Sequence, residues 1–437
     1  MYDCVVIGGG LAGMAASWRL ASRGQRVLLL EKGEQLGGLA SSFEQDGRLY
    51  PLGYHHILSS DDHLLAFLAR LGLLDRVHWK RLEMGFYIDG ETYGLGRPSD
   101  FVRFPLSWPT KLRLAARTGL AWMPMRHGDE PASDWLKRIT GESAITDFFD
   151  RLTQIKFGLP TSALSARWLR ARLRAGEGGC NYGYIPNADW VSVMVDNLHR
   201  KLMETGVDIK LQSEAVQLTT NDAQTRVKGV TLRTGDTIQT RSVLGALAPP
   251  LMSRLMPTPD PDIDSIEYTG VISTVLATRQ EVPIDRYWTN FLQPYRSFGG
   301  IFRLDLLNNT LGHPGMRVLN FCTHIKDRGP GSMLQCEPSE IESRYLKDFE
   351  KCFGMTLEPE WVHTSRIPYY SPVFISGYTN PPVQSSRMNN VFFAGNHRTF
   401  PVLATTGSAM GSGWDAATAI LKMLAVTPKK VEDIEAA

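Results

Sequence analysis

The chain contains no uninterrupted apolar stretch of about 18 residues or more, the length a membrane-spanning helix needs, so no segment reads as a span. Cysteine is scarce. There are five in 437 residues, namely Cys4, Cys180, Cys322, Cys336 and Cys352, scattered and without a C-x-x-C pair. An odd, dispersed set argues against a disulfide framework or a zinc site, and no metal is expected. Excess charge of either sign is missing too. The 47 basic and 45 acidic residues leave a net charge of +2, which gives no general basis for nucleic-acid binding. No basic segment precedes an apolar one at the N-terminus, so a signal peptide is not expected. Internal repeats and low-complexity linkers are absent as well. What remains is a globular composition, 43% hydrophobic and 21% charged, expected in a reducing, cytoplasmic setting. The chain is long enough for two interleaved domains.

The first forty residues carry the strongest signal. Tyr2 to Ile7 reads as a buried parallel strand running into a glycine cluster. Residues 11 to 23 read as a helix stopped by Gly24, and Arg26 to Leu30 as the next strand, ending at Glu31. Gly8, Gly10 and Gly13 therefore form a G-x-G-x-x-G between strand and helix. Gly8 permits the sharp turn, Gly10 lets a pyrophosphate approach the backbone, and Gly13 lets the helix pack close to the strand. The first turn, with Leu11 and Ala12, offers unpaired N–H groups and a positive dipole end. Glu31 is placed to accept hydrogen bonds from an adenosine ribose.

After Glu31 and Lys32 come Leu36-Gly37-Gly38-Leu39-Ala40. This Glu, five residues, Gly-Gly pattern resembles the extended FAD fingerprint of the flavin amine oxidase superfamily, which includes protoporphyrinogen oxidases, phytoene desaturases and, more distantly, UDP-galactopyranose mutases. Two later segments resemble the same superfamily. Arg241 to Pro249 is similar to its "A-D-x-V-V-x-A-x-P" strand, with Ser242 where aspartate is usual. Asn390 to Gly395 is a strand ending in Ala-Gly, with Asn396 where the family has an acid, and Thr405 to Gly413 opens the last helix.

The resemblance implies an α/β fold in which a discontinuous Rossmann-like FAD-binding domain (1–60, 201–250 and 385–437) carries an inserted α+β substrate-binding domain (61–200 and 251–384). It implies FAD, and because no cysteine lies near the C-terminal flavin segment the FAD is expected to be held non-covalently. The backbone of Val216 would flank the adenine, Gly395 and Asn396 would meet the ribityl chain, and Gly407, Ser408 and Ala409 would aim a helix N-terminus at the flavin. The dinucleotide unit is expected to use Gly8, Gly10, Leu11, Ala12, Gly13, Glu31, Lys32, Gly37, Gly38, Leu39 and Ala40.

On the substrate side, residues 61 to 200 read as mainly helical, with a hairpin signal at Asp89-Gly90 between Phe86 and Tyr93. Residues 265 to 325 read as sheet, with strands at Val271–Thr278 and Arg317–Cys322. His55 matches a Gly-x-His segment that lies over the flavin in related mutases and oxidases. It is the candidate for polarising flavin or moving a proton, against a histidine simply satisfied at a domain boundary. Tyr184, Trp190, Tyr287 and Trp288 are pocket candidates against plain core, and Lys156 reads as a solvated lysine, with contact to substrate as the other reading. Amine oxidases of the superfamily carry a lysine in a substrate-domain strand. Here Ser273 aligns with it, and no lysine lies between Ile263 and Lys326.

The expectation is an FAD-dependent oxidoreductase, oxidase- or desaturase-like, that takes hydride from an apolar or cyclic small molecule and passes electrons to oxygen or a quinone. The alternative is redox-neutral chemistry on a nucleotide sugar. Phe104 to Met125 mixes Leu106, Trp108, Leu112, Leu114, Leu120 and Trp122 with Lys111, Arg113 and Arg117. It reads as a buried helix with basic ends, with peripheral contact at a membrane surface as the other reading.

Overall fold

The strand Cys4–Ile7 is apolar on both sides, and it becomes the centre of a five-stranded parallel sheet. In the computed structural model, which describes residues 1–94, 97–117, 129–174, 181–293, 297–402 and 404–426, that sheet has the order 208–210, 27–30, 4–7, 243–245, 391–393. Every pairing in it is parallel. Its strands come from three separated stretches of the chain, so long crossovers join them.

Alternation along these strands builds two cores. Cys4, Val6, Leu29, Leu244 and Phe392 face the helices Leu11–Ala21, Trp190–Glu204 and Thr406–Val426. Val5, Ile7, Leu28, Leu30, Val243 and Phe393 face the opposite way. There they meet the meander Ala215–Thr220, Val227–Leu232 and Thr237–Gln239 and the apolar face of helix Ala132–Thr140. A parallel sheet covered on both faces explains why its strands read as continuous apolar runs.

A seven-stranded sheet forms the second layer, in the order 361–372, 268–278, 317–325, 300–303, 288–291, 84–88, 91–94. Its pairings are antiparallel except that between Trp288–Phe291 and Met84–Ile88. The Asp89-Gly90 turn has positive φ at both residues, 51° and 96°, the geometry of a two-residue hairpin. One face of this sheet packs on helix Pro338–Phe353 through Tyr345 and Phe349. The other face presents Trp288, Phe302, Cys322 and, from outside the sheet, Tyr54.

The helix expected from Phe104 to Met125 is described only as far as Arg117, so Leu120, Trp122 and Met125 lie outside the described residues. So does Cys180, and so does the charged tail 428–437. Within Trp108–Arg117 the buried-helix expectation fails. Trp108 and Leu112 are 60% and 66% exposed, while Thr110 and Lys111 are the buried members. Lys111 turns inward because its Nζ donates to Val102 O at 2.6 Å. No helix among the described residues is long and apolar enough to cross a membrane.

Candidate active site

A cavity of about 920 Å³ opens along the C-terminal edge of the parallel sheet, near the top of the usual ~300–1,000 Å³ range for small-molecule sites. One end is walled by Gly8, Gly10, Leu11, Ala12, Glu31 and Lys32, with Val216 and Arg233 from the meander. The middle carries Gly37, Gly38, Leu39 and Ala40. The far end holds His55, Tyr268, Tyr370, Asn396, His397 and Ala409. Residues from the three widely separated sequence segments thus share one wall, Gly395 included. Gly13, Gly407 and Ser408 do not stand in it.

What a side chain would meet at each glycine explains the pattern. At Gly8 (φ 107°) a Cβ would lie 2.7 Å from Ala246 O, and at Gly13 it would lie 2.0 Å from Gly8 O. Those two glycines are required by the fold itself, for the turn and for the helix-to-strand approach. Gly10 differs. A Cβ there would find no protein atom nearer than 3.9 Å, so it would project into cavity space. Gly407 behaves like Gly13. Its Cβ would come 2.4 Å from Leu64 N, so this glycine serves helix packing against Asp62–Arg70. Ser408 is occupied locally, donating to Thr405 O at 3.0 Å and accepting from Thr405 N at 2.8 Å. The sequence pattern could not separate a glycine needed by a ligand from one needed by a neighbouring helix.

Glu31 braces the loop around the cavity. Its two carboxylate oxygens accept from Gly9 N at 2.7 Å and Gly33 N at 2.8 Å, leaving lone pairs on both for further donors. Helix Leu11–Ala21 has no side-chain cap on its first turn, so its leading N–H groups are available to an anion.

At the far end Asn396 is already engaged. Its Oδ1 accepts from Tyr268 OH at 2.6 Å and its Nδ2 donates to Tyr370 O at 3.0 Å. The amide therefore ties two strands of the large sheet to the Ala394-Gly395 turn, and its remaining hydrogen-bonding capacity is one lone pair and one N–H. His397 beside it is buried, with Nδ1 3.3 Å from Tyr268 OH. Its Nε2 finds no partner among the described residues. Burial first, then Arg398, pushes its pKa down to about 3. His55 Nε2 lies 2.9 Å from Leu39 O. A carbonyl can only accept, so Nε2 carries the proton and Nδ1 the lone pair. Burial lowers the pKa of His55 as well, against a smaller raising effect of that hydrogen bond.

The cavity fits an FAD on two independent grounds. Gly10 leaves open space where any side chain would intrude, and His397 Nε2 is an orphaned buried polar atom in the same wall. Tyr268, Tyr370, His397 and Arg233 belong to the site but were not singled out in the sequence. They stand in no local motif, and only pairings between distant strands bring them here.

Of the pocket candidates, Tyr287, Trp288 and Trp190 are buried. Tyr184, Trp190 and Tyr287 border a small void of about 30 Å³ together with His55. Lys156 is not simply solvated. Its Nζ lies 4.5 Å from the centroid of the Trp288 ring. Ser273 is buried and accepts from Asn320 Nδ2 at 2.6 Å.

The sequence model described as "Flavin containing amine oxidoreductase" matches residues 11–421. The 15-cis-phytoene desaturase of Arabidopsis thaliana is 24% identical over 290 residues, covering 58% of this chain and 49% of the desaturase. The chain thus matches about half the length of that curated relative. Among solved structures, a candidate protoporphyrinogen oxidase from Exiguobacterium sp. 255-15 superposes with a TM-score of 0.77 at 18% identity, covering 96% of this chain and 98% of the other. A reduced UDP-galactopyranose mutase gives 0.73 at 15% identity, covering 97% and 96%. At such identities these two likenesses are of fold.

Proposed function

Because this chain belongs to the family of flavin-containing amine oxidoreductases, FAD-dependent oxidoreductase enzymes, we propose that it oxidises an apolar or cyclic organic small molecule. The observation that carries this reading is the cavity itself. It passes from a glycine-lined, backbone-rich end to an end walled by Tyr268, Tyr370, His55 and His397. When bound, FAD supplies the two-electron acceptor for a substrate hydride and is reoxidised by oxygen or a quinone.

The chain's own residues bind, orient and exclude water. Gly10 and the first turn of Leu11–Ala21 would receive the pyrophosphate, with Gly37 and Gly38 alongside. Glu31 would take the ribose hydroxyls on its remaining lone pairs, and Val216 would flank the adenine. Asn396, fixed by Tyr268, presents its spare N–H and lone pair to the ribityl chain. Ala409 lies in the first turn of helix Thr406–Val426, whose positive end would favour negative charge on a bound flavin. His55 holds its proton at Nε2 on Leu39 O and offers Nδ1 as an acceptor, so its role is orientation or proton acceptance in the neutral form. FAD is held without a covalent bond, and denaturation should release it intact.

The exposed Val102, Trp108 and Leu112 beside Arg103, Arg113 and Arg117 suit a peripheral contact with an anionic lipid surface. Such a contact would serve delivery of an apolar substrate in a cytoplasmic enzyme.

The competing reading is redox-neutral chemistry on a nucleotide sugar, motivated by the Gly53–His55 segment. The experiment is photoreduction of the purified holoprotein followed by mixing with air. Rapid reoxidation supports an oxidase. Slow reoxidation in air with rapid reoxidation by a soluble quinone supports a dehydrogenase. Turnover of a UDP-sugar that requires reduced flavin and yields no oxidised product would replace this reading with the redox-neutral one.

A further inference from the structure

Tyr268, Tyr370, Asn396 and His397 stand together in the wall of the large cavity, and the protons among them can be counted. Tyr370 O is a carbonyl and can only accept. The end of the Asn396 amide 3.0 Å from it is therefore Nδ2, and the other end is the oxygen. An amide oxygen can only accept as well. The single hydroxyl proton of Tyr268 is thus committed to Asn396 Oδ1 at 2.6 Å. Burial raises the Tyr268 phenol well above its ordinary pKa of 10.0, so that proton stays in place.

The Tyr268 oxygen is left with lone pairs only. His397 Nδ1, 3.3 Å from it, is then the donor of that contact. A second proton on the ring is excluded near neutral pH, because burial holds His397 neutral. The tautomer follows, with the proton at Nδ1 and the lone pair at Nε2. The residue is also held in place. A Cβ at Gly395 would lie 3.1 Å from both Nδ1 and Cε1, so glycine at 395 makes room for the imidazole, and Tyr378 OH donates to His397 O. His397 Nε2 is therefore a fixed acceptor, buried and without a partner among the described residues. A buried acceptor left unfilled costs stability, and in native proteins it marks a place for a ligand or water. The neighbouring amide shows what is short there. An acid at position 396, as in the family this segment resembles, would present about four lone-pair sites. Asn396 Oδ1 keeps one after Tyr268 has taken the other. The chain has given up acceptors at 396 and keeps an unfilled one at 397.

We infer that His397 Nε2 accepts a hydrogen bond from a ribityl hydroxyl of FAD, supplying the acceptor that asparagine at 396 no longer provides. The recognition is between neutral groups, a polyol hydroxyl on an imidazole lone pair. Tyr268 is a positioning residue in this arrangement, because the commitment of its proton to Asn396 sets the tautomer of His397. The inference rests on the proposed placement of FAD in the cavity and deepens it by naming a contact that the glycine motifs do not supply.

The test is fluorescence titration of the FAD-stripped full-length protein with FAD and with analogues that each lack one ribityl hydroxyl. It is run on the unaltered chain and on His397→Phe and His397→Leu. One analogue should bind the unaltered chain about fivefold or more weakly than FAD, the ratio that an ordinary hydrogen bond gives. His397→Phe should weaken FAD by a similar factor and add little to the loss for that one analogue, because variant and analogue remove opposite halves of one contact. The remaining analogues should lose as much as FAD does on substitution. His397→Leu serves where the phenylalanine ring disturbs packing, and melting temperature and circular dichroism check the folding of both. Equal binding of FAD and every analogue by the unaltered chain would overturn the assignment. So would folded variants in which the losses from substitution and analogue simply add for every hydroxyl. A preparation that takes up neither FAD nor any analogue would instead defeat the functional reading on which the contact rests.

Discussion

The glycine-lined cavity and the aromatic cluster around Trp288 are built on opposite principles. The glycine-rich cavity is made mainly of main chain, where Gly8 and Gly10 line the wall, Gly13 sets the helix-to-strand distance behind it and Glu31 braces the loop. The Trp288 region is made of side chains from separated segments, with Tyr54, Lys156, Arg172 and Phe302 meeting around one indole. A backbone cradle recognises what every dinucleotide shares, which is phosphate and ribose. A side-chain wall recognises what differs between substrates. The comparison therefore divides the molecule into a part that fixes the cofactor and a part that selects the substrate, and changes in the two parts should have separable consequences.

The largest expected effect separates folding from binding within the glycine motif. Gly13→Val drives a side chain into Gly8 O, 2.0 Å from the Cβ position. It should cost about 3 kcal/mol or more, read as loss of soluble protein or a collapsed melting transition. A Gly13→Val protein as stable as wild type would remove the distinction drawn between Gly13 and Gly10.

Next comes the substrate side. Trp288→Ala empties a buried aromatic site and should cost about 3–5 kcal/mol in chemical denaturation. The surviving folded protein should still bind FAD with near wild-type affinity. Loss of FAD affinity in proportion to stability would mean that the two regions do not act separately.

A smaller effect tests the seam between them. Tyr268→Phe removes the hydroxyl that fixes Asn396 Oδ1 at 2.6 Å. A stability loss of about 1 kcal/mol is expected, with a several-fold fall in FAD affinity measured by fluorescence titration. Unchanged FAD affinity would mean that Asn396 does not position the cofactor.

The smallest effect is a pH dependence. Asp189 caps helix Trp190–Glu204 and accepts from Ser42 Oγ at 2.6 Å, yet burial raises its pKa from 3.8 to about 6. A raised carboxylate pKa gives stability that is fully present below the unfolded value and is lost as pH rises through the folded one. Asp189→Asn does not titrate. Its melting temperature relative to wild type should therefore climb between about pH 4 and 6 and stay level above about pH 7. A flat difference across that window would show that Asp189 is not held protonated.

Legibility in the sequence follows the same division. The parallel strands, the first glycine motif, Glu31 and the Gly37-Gly38 pair could be read because backbone contacts demand glycine at fixed local spacing. The Asp89-Gly90 hairpin could be read for a similar reason. Gly407 and Ser408 were attributed to the cofactor because a glycine at a helix start has two physical uses, and only the position of Leu64 N decides between them. His397, Tyr268 and Tyr370 left no local signal, since their proximity depends on the pairing of residues about a hundred positions apart. Lys156 looked solvated because nothing around it in sequence announces Trp288. Trp108 and Leu112 looked buried by periodicity, but the inward face of that helix is held by Thr110 and Lys111.

The central claim is that Gly10 is kept free of a side chain for a bound FAD, while the protein itself has room for one. The decisive measurement is the FAD content of purified wild-type and Gly10→Val proteins, with circular dichroism recorded on both. About one FAD per wild-type chain, released to solution by acid, beside a folded Gly10→Val protein that retains less than a tenth of it, is the predicted result. A wild-type chain that takes up no FAD, or a Gly10→Val chain that keeps its full complement, would contradict the account.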